Sequence, residues 1–307
     1  MIYNSIIELV GKTPIVKLSN IKSKYGLGCD ILAKLEYFNP QGSIKDRVAK
    51  NIICSAVAEG RLSDGGTIIE ATSGNTGIGL AFCATVMGYK SIIVMPDNMS
   101  VERINIIKAL GGEVVLTDSV QGMRGAIEKA TEIHENTPNS IIAGQFDNPS
   151  NPETHILSTA PEIYEDTDGS VDVLICGVGT GGTISGIGKY LKSKNAEIKI
   201  VAVEPASSPY LSEGKSGAHA IAGIGAGFVP KVLDTGIYDE IITVSDEDAI
   251  EHAKVLGTTE GILCGISSGA ALCAALQVAN REESKGKNIV VIFPDSADRY
   301  YSTQLFK

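Results

Sequence analysis

The sequence contains no tryptophan, few other aromatic residues and no cluster of basic residues. Its 307 residues include ten tyrosines and six phenylalanines, and the formal net charge is −10. Proteins that bind nucleic acid present basic surfaces to the phosphates and aromatic side chains to unpaired bases. The composition therefore argues against nucleic acid as a partner.

Long hydrophobic runs are also absent. No uncharged apolar stretch reaches the roughly 18 residues that a membrane-spanning helix needs. Charged residues such as Glu8, Lys12 and Lys17 interrupt the beginning of the chain, where a secretory signal would be apolar. We therefore expect a cytoplasmic protein that is not inserted in a membrane.

The six cysteines and four histidines follow no metal-binding or redox spacing. The cysteines form no CxxC pair, and no two histidines stand in an HExxH arrangement. We expect no metal site, and we expect the cysteines to be small, reduced core residues. The histidines are interpreted as surface or core residues: His134, His155, His219 and His252.

Short β-branched apolar runs alternate with helical patterns from about residue 30 onward. Continuous apolar strands separated by helices indicate an α/β fold, with a parallel sheet covered by helices on both faces. The breaker-rich stretch DNPSNP at 147–152 predicts a boundary between two α/β halves. The predicted strands are residues 31–37, 67–72, 91–96, 113–117, 140–146, 171–177, 198–204, 240–244 and 288–294.

Glycine-rich segments lie at the predicted junctions between strands and helices. In a parallel sheet these junctions meet at the carboxyl edge, where ligands bind. The segments are ATSGNTGIG at 71–79, GVGTGGTISGIG at 177–188 and CGISSGA at 264–270, with GIGAG at 223–227 in a loop. We expect the functional site among them.

The segment GVGTGG at 177–182 follows a predicted strand and precedes a helix. Its G-x-G-x-x-G spacing predicts a phosphate cradle at the helix N-terminus, and the alternative is a purely structural tight turn. Glu204 ends the next predicted strand, as the ribose-binding acid of a dinucleotide site does. The motif leaves open which molecule carries the phosphate.

A second glycine-rich segment, TSGNTG at 72–77, combines hydroxyl and amide side chains at a helix start. Several short donors that converge with backbone N–H groups suit a carboxylate ligand. The alternative is ordinary helix capping by Ser73.

The segment NPQGSIKDR at 39–47 is a turn that leads into a helix, with Ser43 as the predicted N-cap and the helical pattern running to Gly60. Lys45 and Arg47 lie in the first turn, where the helix dipole opposes a positive charge. In a cleft, burial would lower the pKa of Lys45 further. A neutral amine is what Schiff-base chemistry requires, so Lys45 is either a reactive amine or a solvated first-turn residue.

In combination, these motifs resemble the cysteine synthase (O-acetylserine sulfhydrylase) family of fold type II pyridoxal-phosphate enzymes. The resemblance covers nearly the whole chain and depends on the order of the motifs as much as on each one. The motifs are GKTPIVKL (11–18), NPQGSIKDR (39–47), EATSGNTGIGLA (70–81), MPDNMSVER (95–103), QFDNPSNPETH (145–155), GVGTGGT (177–183), GIGAGF (223–228), GISSGA (265–270) and DRYYST (298–303).

The resemblance implies a tryptophan synthase β-like fold with two domains, each with a mostly parallel twisted sheet flanked by helices. Residues 1–40 and 149–307 would form the larger, cofactor-binding domain, and residues 41–148 a smaller, mobile substrate-binding domain. A homodimer and serine acetyltransferase as a candidate partner are further implications. The segment between Pro205 and Gly223, which lies near the entrance in this family, is shorter here than in the common bacterial pattern.

The resemblance also implies a role for each matching residue. Lys45 would hold pyridoxal 5'-phosphate covalently and then act as the base on the α-carbon of the substrate. Asn75 would bind the ring hydroxyl oxygen, and Ser267 would face the pyridine nitrogen. The phosphate would be bound by Gly179, Thr180, Gly181, Gly182 and Thr183, and the substrate carboxylate by Thr72, Ser73, Thr76 and Gln145.

The implied activity is that of a transferase of cysteine biosynthesis. Sulfide would replace the acetoxy group of O-acetyl-L-serine to give L-cysteine and acetate, and acetate would leave before sulfide adds. A serine hydroxyl at the pyridine nitrogen does not favour a protonated ring, so long-lived carbanions are disfavoured and β-elimination is preferred to transamination.

Other functions remain open from the sequence. One is a related β-replacement, of the cystathionine β-synthase or O-phosphoserine sulfhydrylase type. Another is an NAD-dependent oxidoreductase that uses GVGTGG and Glu204. A third is a catalytically silent homologue that serves as a binding partner.

Overall fold

The computed structural model describes all 307 residues, which form two compact units. The smaller unit contains residues 1–10 and 39–151, and the larger unit contains residues 11–38 and 152–307. The strands are β1 (Ile15–Lys17), β2 (Asp30–Leu35), β3 (Thr67–Ala71), β4 (Lys90–Pro96), β5 (Glu113–Thr117), β6 (Ser140–Ile142), β7 (Val173–Gly177), β8 (Lys199–Pro205), β9 (Glu240–Val244) and β10 (Asn288–Phe293).

Helices follow most of the strands. They are α1 (Ser19–Tyr25), α2 (Lys45–Ala58), α3 (Asn75–Met87), α4 (Val101–Ala109), α5 (Gly122–Glu135), α6 (Ser150–Thr154), α7 (Ala160–Asp166), α8 (Gly182–Lys194), α9 (Tyr210–Glu213), α10 (Asp246–Glu260) and α11 (Ile266–Ala279). A π-helical turn, His155–Thr159, connects α6 to α7. No helix has both the length and the apolar character needed to cross a lipid bilayer.

The smaller unit is built on a four-stranded parallel sheet in the order β5-β4-β3-β6. Successive residues of β3 point to opposite faces, so Ile68 packs into one core cluster and Ile69 into another. The first cluster contains the apolar faces of α2 and α3, and the second contains Ala126 and Ala130 of α5. Burial on both faces explains why these strands are continuously apolar in sequence.

The larger unit is built on a six-stranded sheet in the order β1-β2-β10-β7-β8-β9. Only the edge strand β1 is antiparallel to its neighbour. The small, apolar sequence of α11 is almost entirely buried, and its residues share one core cluster with inward-facing residues of β2, β7, β8 and β10. The sheet therefore presents the carboxyl ends of β10, β7 and β8 side by side at one edge.

The structure confirms the predicted fold class and all nine predicted strands, with several bounds that differ. Strand β2 ends at Leu35, before a 3-10 turn at Glu36–Phe38, and the smaller unit also includes residues 39–40 and 149–151. Strand β1 was not predicted, because three residues at an antiparallel edge carry little periodic signal. Strand β6 ends at Ile142 instead of continuing to 146, since the backbone at Gly144 turns with a φ of +65°. Residues 1–10, expected in the larger domain, belong to the smaller unit: Ile7 and Val10 pack on its core.

Candidate active site

The candidate lysine lies at the start of α2. Lys45 is the first residue of that helix and is half-buried. The N-cap of α2 is Ile44 and not Ser43 as predicted, because the helix begins one residue later. The hydroxyl of Ser43 nevertheless accepts the backbone N–H of Lys45 at 3.3 Å. The carboxylate of Asp46, fully buried, accepts the backbone N–H of Gln41 at 2.6 Å and so closes the turn that precedes the helix.

Helix α3 packs against the start of α2 through a glycine. A Cβ atom on Gly79 would lie 3.0 Å from the carbonyl oxygen and 3.1 Å from the carbonyl carbon of Lys45. Such distances are tighter than ordinary van der Waals contact, so only glycine lets the two helices approach this closely. The backbone position of Lys45 therefore depends on the missing side chain at 79.

The substitution Gly79→Ala is expected to displace the start of α2 by a few tenths of an ångström. We expect kcat to fall about tenfold, because small displacements of a reacting group cost rate steeply. The matched control is Gly257→Ala in α10, where the added Cβ would lie 3.1 Å from the flexible end of Leu263 and at an ordinary 3.9 Å from the carbonyl oxygen of Ile262. Steady-state kinetics and thermal unfolding of both variants measure the effect, and equal activity of the two would contradict it.

Three of the predicted carboxylate-binding residues form one hydrogen-bond network. The hydroxyl of Thr76 donates to Oε1 of Gln145 at 2.6 Å, and Nε2 of Gln145 donates to Oγ1 of Thr72 at 3.3 Å. Oγ1 of Thr72 also accepts the backbone N–H of Gly74 at 3.3 Å. The Thr72 oxygen therefore accepts from two donors, and a hydroxyl in this position has its hydrogen to donate to a further acceptor.

Ser73 and Asn75 flank this network at the start of α3. The helix begins at Asn75 after Gly74, and no side chain caps it. Capping by Ser73, the ordinary alternative for this segment, is therefore wrong. The backbone carbonyl of Ser73 instead accepts a hydrogen bond from Nη1 of Arg103 at 3.2 Å, which ties the loop to α4.

A buried carboxylate that sequence reasoning did not single out holds the loop that carries Gln145. Glu70 of β3 is 3% exposed, and it accepts the backbone N–H of Gly144 at 2.8 Å and that of Gln145 at 3.3 Å. Burial raises the pKa of Glu70 to about 7, although the two N–H donors act in the opposite direction. The only signal in the sequence was an acidic residue in an otherwise apolar strand beside the TSGNTG segment.

In the larger unit, the predicted phosphate turn has the geometry of an anion cradle. Gly181 has a φ of +83°, and α8 begins at Gly182. The N–H of Gly182 donates to Oγ1 of Thr180 at 3.4 Å, and the N-cap residue Gly181 has no side chain to cap the next N–H groups. A Cβ atom on Gly179 would lie 2.1 Å from the carbonyl oxygen of Gly223, and one on Gly181 would lie 2.6 Å from Cβ of Leu233. The turn is therefore compact enough to require its glycines.

His155 supports this turn and was missed by the sequence analysis. It is fully buried in the π-helical turn, where Nδ1 lies 2.9 Å from Oγ1 of Thr159 and Nε2 lies 3.3 Å from Oγ1 of Thr183. A Cβ atom on Gly186 would lie 2.7 Å from Cβ of His155, so that glycine permits the contact with α8. The interpretation as a core histidine was correct for burial but missed the link to Thr183, because no spacing rule connects the two.

Ser267 lies near the same edge of the larger sheet as the glycine turn. It is 3% exposed and occupies the first turn of α11, which begins after Gly265 without a side-chain cap. The backbone N–H of Gly265 donates to the carbonyl of Asp295, just beyond the carboxyl end of β10. Since β10 neighbours β7, Ser267 and the 179–183 turn lie at neighbouring strand ends.

Glu204 does not serve as a ribose-binding acid. Its carboxylate accepts the backbone N–H groups of Leu211 and Ser212 at 2.8 Å and 3.0 Å, and also the hydroxyl of Ser212. These contacts cap the short helix α9 and bury the carboxylate to 2% exposure. The alternative of an NAD-dependent oxidoreductase required Glu204 to be available to a ribose, and these contacts argue against it.

The residues present fit pyridoxal phosphate. The glycine turn offers a compact set of backbone N–H groups for a phosphate, and a Cβ at Gly179 would clash with the backbone of Gly223 that packs against it. Buried hydroxyls and an amide in the smaller unit suit the carboxylate of an amino acid, and Lys45 supplies an amine. A phosphate-compatible turn in the larger unit, and a carboxylate-compatible network and an amine in the smaller one, are the features expected of an α/β enzyme that uses a phosphorylated cofactor.

The chain belongs to the family of pyridoxal-phosphate dependent enzymes, whose model matches residues 6–295. A cysteine synthase from Staphylococcus aureus is 48% identical over 304 residues, which cover 99% of this chain and 97% of that relative. A solved cysteine synthase from Entamoeba histolytica has a TM-score of 0.97 and 47% identity and covers 100% of this chain and 91% of its own. A solved hydrogen sulfide-producing enzyme from Fusobacterium nucleatum has a TM-score of 0.92 and 47% identity and covers 97% and 100%.

The family resemblance and the dependence on pyridoxal phosphate are therefore confirmed. The roles given to single residues stay predictions, because they concern contacts with molecules that bind to the enzyme.

Proposed function

We propose that this enzyme is a cysteine synthase that replaces the acetoxy group of O-acetyl-L-serine by sulfide. The observation that carries the proposal is identity of 47–48% with cysteine synthases across nearly the whole chain, in sequence and in structure. The products are L-cysteine and acetate. The bond from the β-carbon to the acetoxy oxygen breaks with its electron pair leaving on acetate, and a bond from sulfur to the β-carbon forms.

Lys45 has two roles in the proposal. Its amine would hold the cofactor covalently, and the same amine, once free, would accept the proton from the α-carbon of the substrate. Bound pyridoxal phosphate supplies the electron sink for that deprotonation. The backbone from Gly179 to Thr183 would bind the phosphate, while Asn75 would bind the ring hydroxyl oxygen and Ser267 would face the ring nitrogen.

The substrate carboxylate is bound by the network in the smaller unit. In the proposal, the hydroxyl hydrogen of Thr72 and the second N–H of the Gln145 amide donate to it, together with the Ser73 hydroxyl. Thr76 orients the amide of Gln145, since its hydroxyl donates to Oε1. The resemblance supports movement of this smaller domain, which would exclude water from a reactive intermediate.

The substitution Thr76→Val tests this network. Valine keeps the shape but removes the donor that orients Gln145, and a buried acceptor that loses its donor costs about 1–3 kcal/mol. We expect the KM for O-acetylserine to rise about tenfold with little change in kcat. Thr85→Val is the matched control on the same helix, because its hydroxyl donates to the carbonyl of Leu110, outside the network. A KM unchanged in Thr76→Val would argue against the network as the carboxylate site.

The proposed activity is tested by supplying the purified holoenzyme with sulfide and, in turn, O-acetylserine, O-phosphoserine and serine. The proposal predicts rapid cysteine formation from O-acetylserine and slower turnover of the other two. Preference for O-phosphoserine or serine would favour the related β-replacements. Absence of sulfide-dependent turnover by holoenzyme would favour the silent homologue. With cysteine supplied instead, net release of hydrogen sulfide would indicate an activity like that for which the Fusobacterium relative is named.

The family resemblance supports a cytoplasmic homodimer with serine acetyltransferase as a candidate partner. The smaller unit exposes large apolar side chains along β5 and α5, which is consistent with a covered face. Light scattering would measure the oligomeric state, and co-purification with serine acetyltransferase would test that partner. The exposed residues are Leu116, Val120, Met123 and Ile127.

A further inference from the structure

The carboxylate of Glu70 accepts the backbone N–H groups that follow the last hydrogen bond between β3 and the chain after β6. The last ladder contact between β3 and the chain beyond β6 is the N–H of Ala143, which donates to the carbonyl of Ile69 at 2.9 Å. At Gly144 the chain turns with positive φ, and the next two N–H groups donate to the side chain of Glu70. The backbone that carries Gln145 is thus held by this carboxylate.

Glu70 and Thr72, at the end of β3, both hydrogen-bond to Gln145: Glu70 accepts its backbone N–H, and Thr72 accepts its side-chain amide. Their side chains emerge on the same side of β3, two residues apart. Glu70 holds the backbone of Gln145, while Thr72 accepts from its side-chain amide and Thr76 donates to it. Buried charges are costly unless they are paired or hydrogen-bonded, so a carboxylate in an apolar strand calls for a specific explanation.

We propose that Glu70, in its ionised form, is a positioning residue for amino-acid binding, because it sets the backbone from which Gln145 reaches the substrate carboxylate. This inference rests on the proposed function and deepens it. It makes binding of the amino-acid substrate dependent on the protonation of a group that does not touch the substrate.

The ionised form is required because both carboxylate oxygens accept an N–H. A protonated carboxyl would direct an O–H at one of those donors and lose that contact. Asp147 is the neighbouring charged group: it follows Gly144 in the same loop, and its negative charge favours the protonated form of Glu70. Burial acts in the same direction, so the pKa near 7 lies within the ordinary working range of an enzyme. As the pH falls through about 7, Glu70 should become protonated and lose a hydrogen bond to this backbone, so the position of Gln145 should become less fixed.

The variant Glu70→Gln tests the inference. A glutamine of the same shape presents one oxygen and one NH₂ to two N–H donors, so one contact is lost at every pH. We expect the KM for O-acetylserine at pH 8 to rise about tenfold while kcat stays within about twofold, the pattern of lost binding. Wild-type KM should rise on the acid side of about pH 7, and the variant should lack that rise.

The matched control is Asp172→Asn. Asp172 also accepts a backbone N–H at a strand end, from Asn288 at 2.8 Å, but at the amino end of β7 in the larger unit. This variant should keep both the wild-type KM and the wild-type pH profile. Amide hydrogen exchange of the holoenzyme gives a second readout: Gly144 and Gln145 should lose protection in Glu70→Gln and keep it in Asp172→Asn.

A wild-type KM and pH profile in folded, active Glu70→Gln would overturn the inference and leave the proposed function intact. If the variant does not fold, the inference is tested on the wild-type enzyme by the pH dependence of its KM and of its hydrogen exchange. A KM that rises below about pH 7 together with faster exchange at Gly144 and Gln145 supports the inference, and a flat KM overturns it. Absence of cysteine formation by wild-type holoenzyme would refute the proposed function. The hydrogen-exchange measurement does not depend on turnover, so it would still show whether Glu70 holds the backbone of Gly144 and Gln145.

Discussion

The variant Lys45→Ala is expected to lose cysteine formation by at least about 10³-fold, the scale on which removal of an essential base or nucleophile acts. Alanine leaves α2 intact, since it is the best helix former, but it removes the only group proposed to hold the cofactor covalently and to take the α-proton. The measurement is the rate of cysteine formation with saturating O-acetylserine, sulfide and added pyridoxal phosphate. The visible absorption of the bound cofactor should change as well.

Lys50→Ala is the matched control for this result. Lys50 lies on the same helix, and its ammonium donates to the carbonyl of Ile7 at 3.1 Å. Its loss removes a lysine and one hydrogen bond but no proposed catalytic group, so near wild-type turnover is expected. Turnover by Lys45→Ala at the level of this control would refute the assignment of Lys45.

The second large effect is expected for Gly179→Ala in the phosphate turn. The added Cβ would lie 2.1 Å from the carbonyl oxygen of Gly223, a distance that only movement of one backbone segment can relieve. Overpacking costs up to about 3 kcal/mol, and we expect cofactor affinity to fall by at least about 100-fold because the cradle itself must deform. Equilibrium binding of pyridoxal phosphate to apoenzyme measures this directly.

Gly236→Ala is the control for the phosphate turn. A Cβ there would meet only Oδ1 of Asp234 at 3.4 Å, an ordinary contact, and the site lies outside the turn. It should bind the cofactor as the wild-type does. Normal cofactor affinity in Gly179→Ala would show that the phosphate is bound elsewhere.

The parts of the molecule that the sequence predicted are those encoded locally. Parallel strands buried on both faces are continuously apolar, and the glycines of GVGTGG and TSGNTG mark turns that only glycine permits, so both features are readable without a structure. The family resemblance then assigned roles to residues such as Gln145. The hydrogen bonds of Gln145 to Thr72 and Thr76 agree with its grouping with these residues.

The residues that the sequence did not reveal act through tertiary contacts. Glu70 and Gly144 are far apart in the chain, and nothing in a single acidic residue within a strand indicates which backbone N–H groups it will bind. His155 reaches Thr183 only because the chain forms a π-helical turn and Gly186 leaves room for it. Arg103 likewise holds the Ser73 carbonyl from another helix. Such contacts follow from packing and not from periodicity.

The boundaries that differed have the same origin. Residues 140–146 are apolar enough for a longer strand, but β6 stops at Ile142 because the chain turns at Gly144, and from there the N–H groups of Gly144 and Gln145 donate to Glu70 instead of to the ladder. Residues 1–10 join the smaller unit because Ile7 and Val10 find an apolar surface there. In both cases a tertiary contact overrides the local pattern.

The proposed covalent bond between the cofactor and the amine of Lys45 can be tested directly. Borohydride reduction of the holoenzyme makes the bond between cofactor and lysine permanent, and peptide mass spectrometry then locates the modified residue. We expect a pyridoxyl group on Lys45 and on no other lysine. Modification of a different lysine, or cofactor that is released unattached after reduction, would contradict it.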